Sequence, residues 1–309
     1  MAFLNKTELD IYPLCLGGNV FGWTADHDSS IQILDAFSEL GGNFIDTADV
    51  YSEWNEGNIG GESERIIGSW IKSKKNRSDV IIATKVAKYS ERKGLSPANI
   101  NAAVDESLKR LGSDYIDIYY AHEDDLVISQ DQYLATFDQL VKSGKVRYIA
   151  ASNFTADRLL SASKISQREG FAEFIALQNQ YNLLDRRDYE EDLLPTVETL
   201  GISSLPYYGL ARGFLTGKYR KDGNPESVQS VRASGTAGYQ NDRGWKIIDL
   251  LGHLAEAKST TISAIALSWL RSQPTVTAPI ASARTLEQLK EMMPIIELTA
   301  DEIAELSSI

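Results

Sequence analysis

Eight times in 309 residues the sequence repeats one phrase: a short apolar run, a loop, then an amphipathic segment. The runs are "LCLGG" (14–18), "NFIDT" (43–47), "VIIATKV" (80–86), "YIDIYYA" (115–121), "VRYIAAS" (146–152), "FIALQ" (174–178), "ISSLPY" (202–207) and "VTAPI" (276–280). Several are apolar on both faces, as suits a parallel strand covered by helices. The segments between them carry helix signals. In "DSSIQILDAFSELGG", Ile31, Leu34, Phe37 and Leu40 recur at helical spacing and glycines stop the run. "SPANINAAVDESLKRLG" opens with Ser96 as cap and Pro97 in the first helical position, and closes on Gly112. "DQYLATFDQLVKSGK", "TADRLLSASKISQREG", "RDYEEDLLPTVETLG" and "TLEQLKEMM" continue the pattern. Eight strand–helix alternations predict an α/β fold, and the count fits a closed (β/α)8 TIM barrel better than an open doubly wound sheet. No linker composition divides the chain, so residues 1–309 read as a single domain. One stretch breaks the rhythm: 209–241, a long loop after the seventh strand, rich in Gly, Arg, Lys and Ser. Insertions of that size in compact domains serve function or move.

Composition narrows the function classes. The net charge of −12 argues against a nucleic-acid binder, and the only dense basic cluster is "KSKKNR" at 72–77. That run suits the solvated C-terminal end of a helix, where cations complement the dipole. An anionic ligand would need a locally positive pocket. The single cysteine, Cys15, permits no internal disulfide and fits a reducing cytoplasm. The N-terminus lacks a basic stretch followed by an apolar core, and no apolar run reaches membrane-spanning length, so neither export nor a membrane is expected. His27, His122 and His253 stand far apart with no companion at ligand spacing, so no metal is expected.

In a parallel barrel, chemistry collects at the carboxyl ends of the strands and in the loops that follow. Polar residues stand at that point in run after run. Asp46 ends the second run, Lys85 lies near the end of the third, and His122 follows the fourth. Ser152 and Asn153 end the fifth, Gln178 the sixth and Tyr207 the seventh. Each has a bland reading: a lysine that snorkels to water, a structural histidine, a glutamine bonded to the next strand. Together, aimed at one mouth, they point to a site. Tyr51, five residues beyond Asp46, supplies a phenol. A neighbouring ammonium favours phenolate and lowers a phenol's pKa, which eases proton donation. Lys85 can supply that charge, Asp46 its counter-ion, and His122 can orient a substrate oxygen. The four make a proton-delivery device for a carbonyl becoming an alcohol. The partner hydride donor has no periodic signature: "GGNVFG" (17–22) is too loose for a dinucleotide fingerprint, and "GFLTGKY" (213–219) misses the P-loop pattern. Arg212 and Lys218 can still hold a pyrophosphate.

At this point the chain resembles the aldo-keto reductase family. "NFIDTADVY", "GGESERIIG", "ATKV", "YIDIYYAHEDD", "ASNF", "LQNQYNLLDR", "ARGFLTGKY" and "PIASARTLEQL" occur in family order and with family-like spacing over nearly the whole length. The resemblance implies an eight-fold barrel with an N-terminal β-hairpin cap, here residues 2–12, and a long loop that partly closes over a nicotinamide cofactor. It implies reversible reduction of aldehydes or ketones of small molecules by NADPH, with NADH possible. Tyr51 resembles the family's general acid, with Asp46, Lys85 and His122 completing its tetrad. Ser152, Asn153 and Gln178 resemble the set that holds the carboxamide, and Tyr207 the residue that stacks on the nicotinamide. Leu210, Arg212, Gly213 and Lys218 look like the pyrophosphate loop. Ser282, Arg284, Gln288 and Glu291 fall where the adenosine end and 2′-phosphate are held. Met292 stands where many members carry an adenine-contacting Asn, and Ser282 where some branches carry lysine. Arg284 is a good bidentate phosphate partner.

Substrate contacts are expected from Trp23 and Trp54, either of which can equally serve packing. The acidic pair Glu123 and Asp124 is expected to disfavour anionic substrates. Two rival readings stay open: a cofactor-binding regulatory or interaction subunit with little turnover, and a lyase or aldolase using Lys85 as a Schiff base. The chain is expected to act as a monomer or small homo-oligomer in the cytoplasm.

Overall fold

The computed structural model describes residues 2–219, 221 and 233–309. Eight parallel strands alternate with helices. The strands are β3 (Cys15–Gly17), β4 (Phe44–Asp46), β5 (Ile81–Val86), β6 (Ile116–Ala121), β7 (Val146–Ser152), β8 (Phe174–Gln178), β9 (Ser203–Ser204) and β10 (Ile280–Ala281). They lie in the order β10-β3-β4-β5-β6-β7-β8-β9. The ring closes where Ser204 N–H donates to Thr275 O (2.8 Å) and Ile280 N–H to Pro206 O (2.8 Å). The TIM-barrel expectation holds. So does the hairpin: β1 (Ala2–Phe3) and β2 (Asp10–Ile11) pair antiparallel and place Leu4, Leu9 and Ile11 in one buried cluster with Phe44, Ile118 and Ile175. The hairpin therefore plugs the barrel's amino-terminal end.

The strands are buried on both faces, and their period of two sorts residues into two cores. Ile45, Ile82, Val86, Tyr119 and Ile149 face the helices and join the larger cluster. Phe44, Ala83, Tyr120, Ala150 and Ala176 fill the smaller, interior one. Two residues beyond each of these interior positions stand Asp46, Lys85, His122, Ser152 and Gln178. Strand periodicity alone thus aims five polar side chains into the barrel at its carboxyl end.

The helices are α1 (His27–Glu39), α2 (Glu62–Lys74), α3 (Pro97–Leu111), α4 (Gln130–Lys142), α5 (Ala156–Glu169), α6 (Leu194–Leu200), α7 (Asp242–Ala257), α8 (Ile262–Arg271), α9 (Leu286–Met292) and α10 (Ala300–Ser307). Side-chain caps behave as the sequence suggests: Ser96 accepts from Asn99 N–H at the start of α3, and Gly112 adopts a left-handed C-cap. The segment 187–201 is not one uniform helix. A π-helical turn over Asp188–Leu193 precedes α6, because Pro195 in the first turn of α6 has no N–H to offer a continuous ladder. The seventh and eighth runs yield only two-residue strands, interrupted by Pro206 and Pro279, which cannot donate to a ladder. Of the 209–241 stretch, Ala211–Thr216 and Ala233–Tyr239 form 3₁₀ turns, and residues 220 and 222–232 lie outside the described residues. Of "KSKKNR", Lys72, Lys74 and Lys75 are exposed as expected, but Arg77 is not solvated. It donates to Asp117 Oδ2 (2.7 Å) and Tyr115 O (3.0 Å) and lies over the Tyr115 ring.

Gly68 in α2 permits the close approach of α3, since a Cβ there would overlap the Arg110 carbonyl oxygen and crowd the Leu111 backbone. Both obstacles are backbone. Gly68→Ala is expected to destabilise the fold by about 1–3 kcal/mol, read as a lower midpoint in urea unfolding with the slope unchanged.

Candidate active site

At the carboxyl end of the barrel a cavity of about 1150 Å³ opens. Its inner end is built on one buried cation. Lys85 is fully buried, and its Nζ donates to Asp46 Oδ2 (2.6 Å), Thr47 O (2.7 Å) and Tyr51 Oη (2.8 Å). Three acceptors around one nitrogen match the three hydrogens of an ammonium. Burial pulls the Lys85 pKa down, and Asp46 opposes that pull. The Asp46 carboxylate is equally engaged: Oδ2 also accepts from the Tyr51 hydroxyl (3.2 Å) and Oδ1 from Gln178 Nε2 (2.9 Å). The strand register explains the convergence, since Asp46 pairs with Ala83, two residues before Lys85, and Lys85 pairs with Tyr120, two before His122. Tyr51 reaches the group from a turn over 48–51, closed by Tyr51 N–H to Ala48 O (3.2 Å). The opposite wall is His122, whose ring centre lies 5.9 Å from that of Tyr51.

The electrostatics differ from the sequence expectation in one respect. Burial pushes the Tyr51 phenol well above its usual range, and the Asp46 charge adds to the rise. Proximity to Lys85 does not lower it, because desolvating a phenolate and placing it beside a carboxylate outweigh the ammonium. Tyr51 therefore stays protonated. Burial also takes His122 well below the usual imidazole range, reinforced by Lys85 and Lys88. The imidazole is neutral near pH 7, and its buried Nδ1 has no hydrogen-bond partner among the described residues. The site thus combines a protonated phenol, a cation touching the phenol oxygen, and a neutral imidazole across a gap. An alkoxide is a far stronger base than a phenolate, so a phenol of raised pKa still protonates it downhill. The phenolate left behind faces Lys85 Nζ. A Schiff-base role for Lys85 fits poorly, because its nitrogen does not line the cavity and all its hydrogens are engaged.

Beyond the tetrad, Ser152, Asn153, Gln178 and Tyr207 line the next section of the cavity. Asn153 holds a left-handed backbone (φ 58°), which asparagine tolerates. Its Nδ2 donates to His122 O (2.9 Å) and Ser152 Oγ (3.0 Å), and its Oδ1 accepts from Tyr207 Oη (2.8 Å). An aromatic ring and a row of amide groups are therefore fixed along the cavity that Tyr51 also lines. Leu210, Arg212, Gly213 and Lys218 line the cavity further along, with Arg212 over the Tyr208 ring at 4.3 Å. Ser282, Arg284, Gln288 and Glu291 line the same cavity, together with Met292. Ser282 Oγ donates to Asn19 Oδ1 (2.6 Å), and Gln288 Oε1 accepts from Arg284 N–H (2.9 Å). No carboxylate pairs with the Arg284 guanidinium among the described residues. In a chain of net charge −12, Arg212, Lys218 and Arg284 bring three cations to one cleft. That donor set fits a ligand that carries both amide and anionic groups, as a nicotinamide dinucleotide does.

The structure adds detail to two expectations about the mouth. Trp54 lines the cavity, but Trp23 does not; it packs edge-on behind Trp54, with ring centres 5.6 Å apart. Glu123 and Asp124 are not bare charges at the mouth. Asp124 is held by Arg158 (2.5 Å) and Tyr133 (3.1 Å), and Glu123 pairs with Lys88 (3.4 Å). Sequence reasoning passed over Gly17, Asn19 and Lys88, which also line the cavity. Gly17 ends the first strand and Asn19 lies in the turn that follows it, so attention to that strand end would have found both.

The family model described as "Aldo/keto reductase family" matches residues 13–309. The chain belongs to the aldo/keto reductase family. Curated relatives within this family cover it almost completely. An uncharacterized oxidoreductase of Bacillus subtilis (strain 168) is 33% identical over 308 residues, spanning 97% of this chain and 91% of the relative. A probable aryl-alcohol dehydrogenase of Saccharomyces cerevisiae is 32% identical over 296 residues, spanning 91% and 88%. A putative voltage-gated potassium channel subunit beta of Schizosaccharomyces pombe is 32% identical over 309 residues, spanning 96% and 87%. Two of these three relatives of this aldo/keto reductase are named as an oxidoreductase or a dehydrogenase. Among its described residues, no helix is long and apolar enough to cross a membrane.

Proposed function

We propose that this aldo/keto reductase reduces aldehyde or ketone groups of small molecules to alcohols with NADPH, reversibly, using Tyr51 as general acid. The observation that carries the reading is the contact of Lys85 Nζ with both Asp46 (2.6 Å) and the Tyr51 hydroxyl (2.8 Å), with His122 across the gap. When bound, the reduced nicotinamide supplies a hydride to the carbonyl carbon. The chain's own residues do the rest. Ser152, Asn153 and Gln178 hold the carboxamide, and Tyr207 backs the ring. Arg212, Lys218 and the backbone at Leu210 and Gly213 hold the pyrophosphate, while Ser282, Arg284, Gln288 and Glu291 surround the adenosine end. His122 donates a hydrogen bond to the carbonyl oxygen, and Tyr51 delivers the proton as negative charge develops there. Trp54 offers an aromatic wall beside Tyr51, ring centres 6.1 Å apart, which suits aryl aldehydes; one relative's name, a probable aryl-alcohol dehydrogenase, points the same way.

The test is NADPH oxidation against a panel of aromatic and aliphatic aldehydes and quinones. Turnover that needs both nucleotide and carbonyl supports the reading, and none across the panel removes it. A second reading, a cofactor-binding subunit with little turnover, draws support from the relative described as a putative potassium channel subunit beta. The complete set around Lys85 favours turnover. We further read residues 1–309 as one barrel domain that works in a reducing cytoplasm as a monomer or small homo-oligomer.

Arg284 is the expected 2′-phosphate ligand, with NADH accepted more weakly. A charge-assisted hydrogen bond of about 1.5–3 kcal/mol predicts that Arg284→Ala weakens NADPH binding about 10- to 100-fold and leaves NADH binding nearly unchanged. Quenching of tryptophan fluorescence during nucleotide titration measures both. Equal losses for the two nucleotides would remove Arg284 from this role.

A further inference from the structure

Directly behind the Tyr51 turn lies a second cluster of charged groups that the chemistry above does not use. Asp49 is 3% exposed, and its Oδ1 has no hydrogen-bond partner among the described residues. Its neighbour Glu64, on α2, is also buried but satisfied: Oε1 accepts from Thr84 Oγ1 (2.6 Å) and Oε2 from Arg110 Nε (2.5 Å). The other charged or titratable groups facing Asp49 are Arg110 of α3, Arg92 in the loop after β5, Tyr119 of β6 and Lys85 of β5. Arg92 and Arg110 both also serve Glu106 (2.5 and 3.4 Å), and Lys85 serves Asp46. Two carboxyl groups therefore compete for one buried guanidinium, and Glu64 holds it. A second buried carboxylate with one oxygen unpartnered, helped only by the Val50 N–H and by guanidinium groups engaged elsewhere, is costly, whereas a neutral acid there is not. Burial, reinforced by Glu64 and only partly offset by Arg110, pushes Asp49 up to about 8.

The place of Asp49 in the chain ties this proton to the site. Its backbone N–H donates to Lys85 O (3.3 Å), and two residues earlier Thr47 O accepts from Lys85 Nζ (2.7 Å). Two residues later Tyr51 accepts from the same nitrogen (2.8 Å). The far side of the turn is close-packed too, since a Cβ on Gly60 would stand 3.1 Å from Asp49 O. The turn has little room to absorb a displaced side chain.

We propose that Asp49 is a positioning residue: as a neutral acid it lets the 47–51 turn seat Tyr51 against Lys85, and loss of its proton to solvent sets it against Glu64 and moves the turn. The catalytic consequence rests on the reductase reading; the movement itself does not. The experiment therefore has a readout without substrate. Trp54 packs edge-on to Tyr51, so its fluorescence, taken as the difference between wild type and Trp54→Phe, reports the turn.

Titrated from about pH 6 to 9.5 on the full chain, that signal is expected to step with a midpoint near 8 in the wild type. Asp49→Asn should abolish the step. Glu64→Gln should move it to lower pH by about a unit or more, because the opposing charge is gone and Arg110 is released. General destabilisation would not produce that opposite pair of results. With an aldehyde substrate, kcat/KM should fall about tenfold per pH unit above the same midpoint in the wild type and not in Asp49→Asn. A step unchanged in both variants overturns the proposal. A step without a matching fall in kcat/KM overturns the positioning role while the reductase reading stands. A step that follows the expected variant pattern without turnover at any pH upholds the proton-coupled turn and removes the reductase reading instead.

Discussion

Tyr51→Phe is expected to lower kcat/KM for aldehyde reduction by about 10²–10⁴-fold while the protein stays folded and still binds nucleotide. The substitution removes one oxygen and nothing else. The ring keeps its edge contacts with Trp54 and His122, and Lys85 Nζ still lies over it at 4.5 Å. Lys85 loses one of three acceptors and Asp46 one of three donors, a cost of about 1–3 kcal/mol in stability that leaves the ion pair in place. The developing alkoxide loses the phenol proton, and burial and Lys85 keep His122 neutral, so no imidazolium stands in for it. A thousandfold loss corresponds to about 4 kcal/mol of transition-state stabilisation. Steady-state kinetics with thermal unfolding and nucleotide titration on the same samples separate the chemical loss from a folding defect. Parallel losses in all three would mean that the hydroxyl is structural.

Lys85→Met should be costlier to the protein as a whole. Lys85 is fully buried, and methionine can fill most of its volume but supplies no charge. Asp46 would remain buried with Gln178 and Tyr51 as its remaining donors among the described residues. Breaking one side of a buried pair costs about 3–5 kcal/mol, so a large fall in the unfolding midpoint is expected. Activity should fall at least as far as in Tyr51→Phe, because the phenolate formed on proton transfer would have no cation. The double variant Asp46→Asn/Lys85→Met removes both charges and should recover much of the lost stability without recovering activity. Stability that fails to recover would mean that the lysine contributes chiefly through packing.

Much of the site was legible because strand periodicity is strict. Once Phe44, Ala83, Tyr120, Ala150 and Ala176 are taken as interior, Asp46, Lys85, His122, Ser152 and Gln178 must point the same way. The convergence of those five could be expected without any knowledge of the loops. Features set by long-range packing were not legible. The ionisation of Tyr51 depends on how completely its hydroxyl is buried and on which oxygen of Asp46 it meets, and neither is written in "DTADVY". Arg77 looks like one more solvated cation in a basic run until β6 brings Asp117 beside it. Helix α8, "ISAIALSWLR", is buried almost throughout although its apolar residues are as strongly sided as those of the other helices, so its period does not reveal how deeply it lies. Trp23 and Trp54 are the same residue type in edge-on contact, and nothing in the sequence tells which of them lines the cavity.

The central claim is that a phenol held by a buried lysine protonates a carbonyl as a nicotinamide dinucleotide reduces it. Its most direct measurement uses NADPH deuterated at C4 with benzaldehyde, following deuterium into the product by NMR for wild type and Tyr51→Phe side by side. We expect benzyl alcohol carrying deuterium on the former carbonyl carbon from the wild type, with product formation lost in the variant. Equal product formation by the two proteins, or alcohol without deuterium at that carbon, would contradict it.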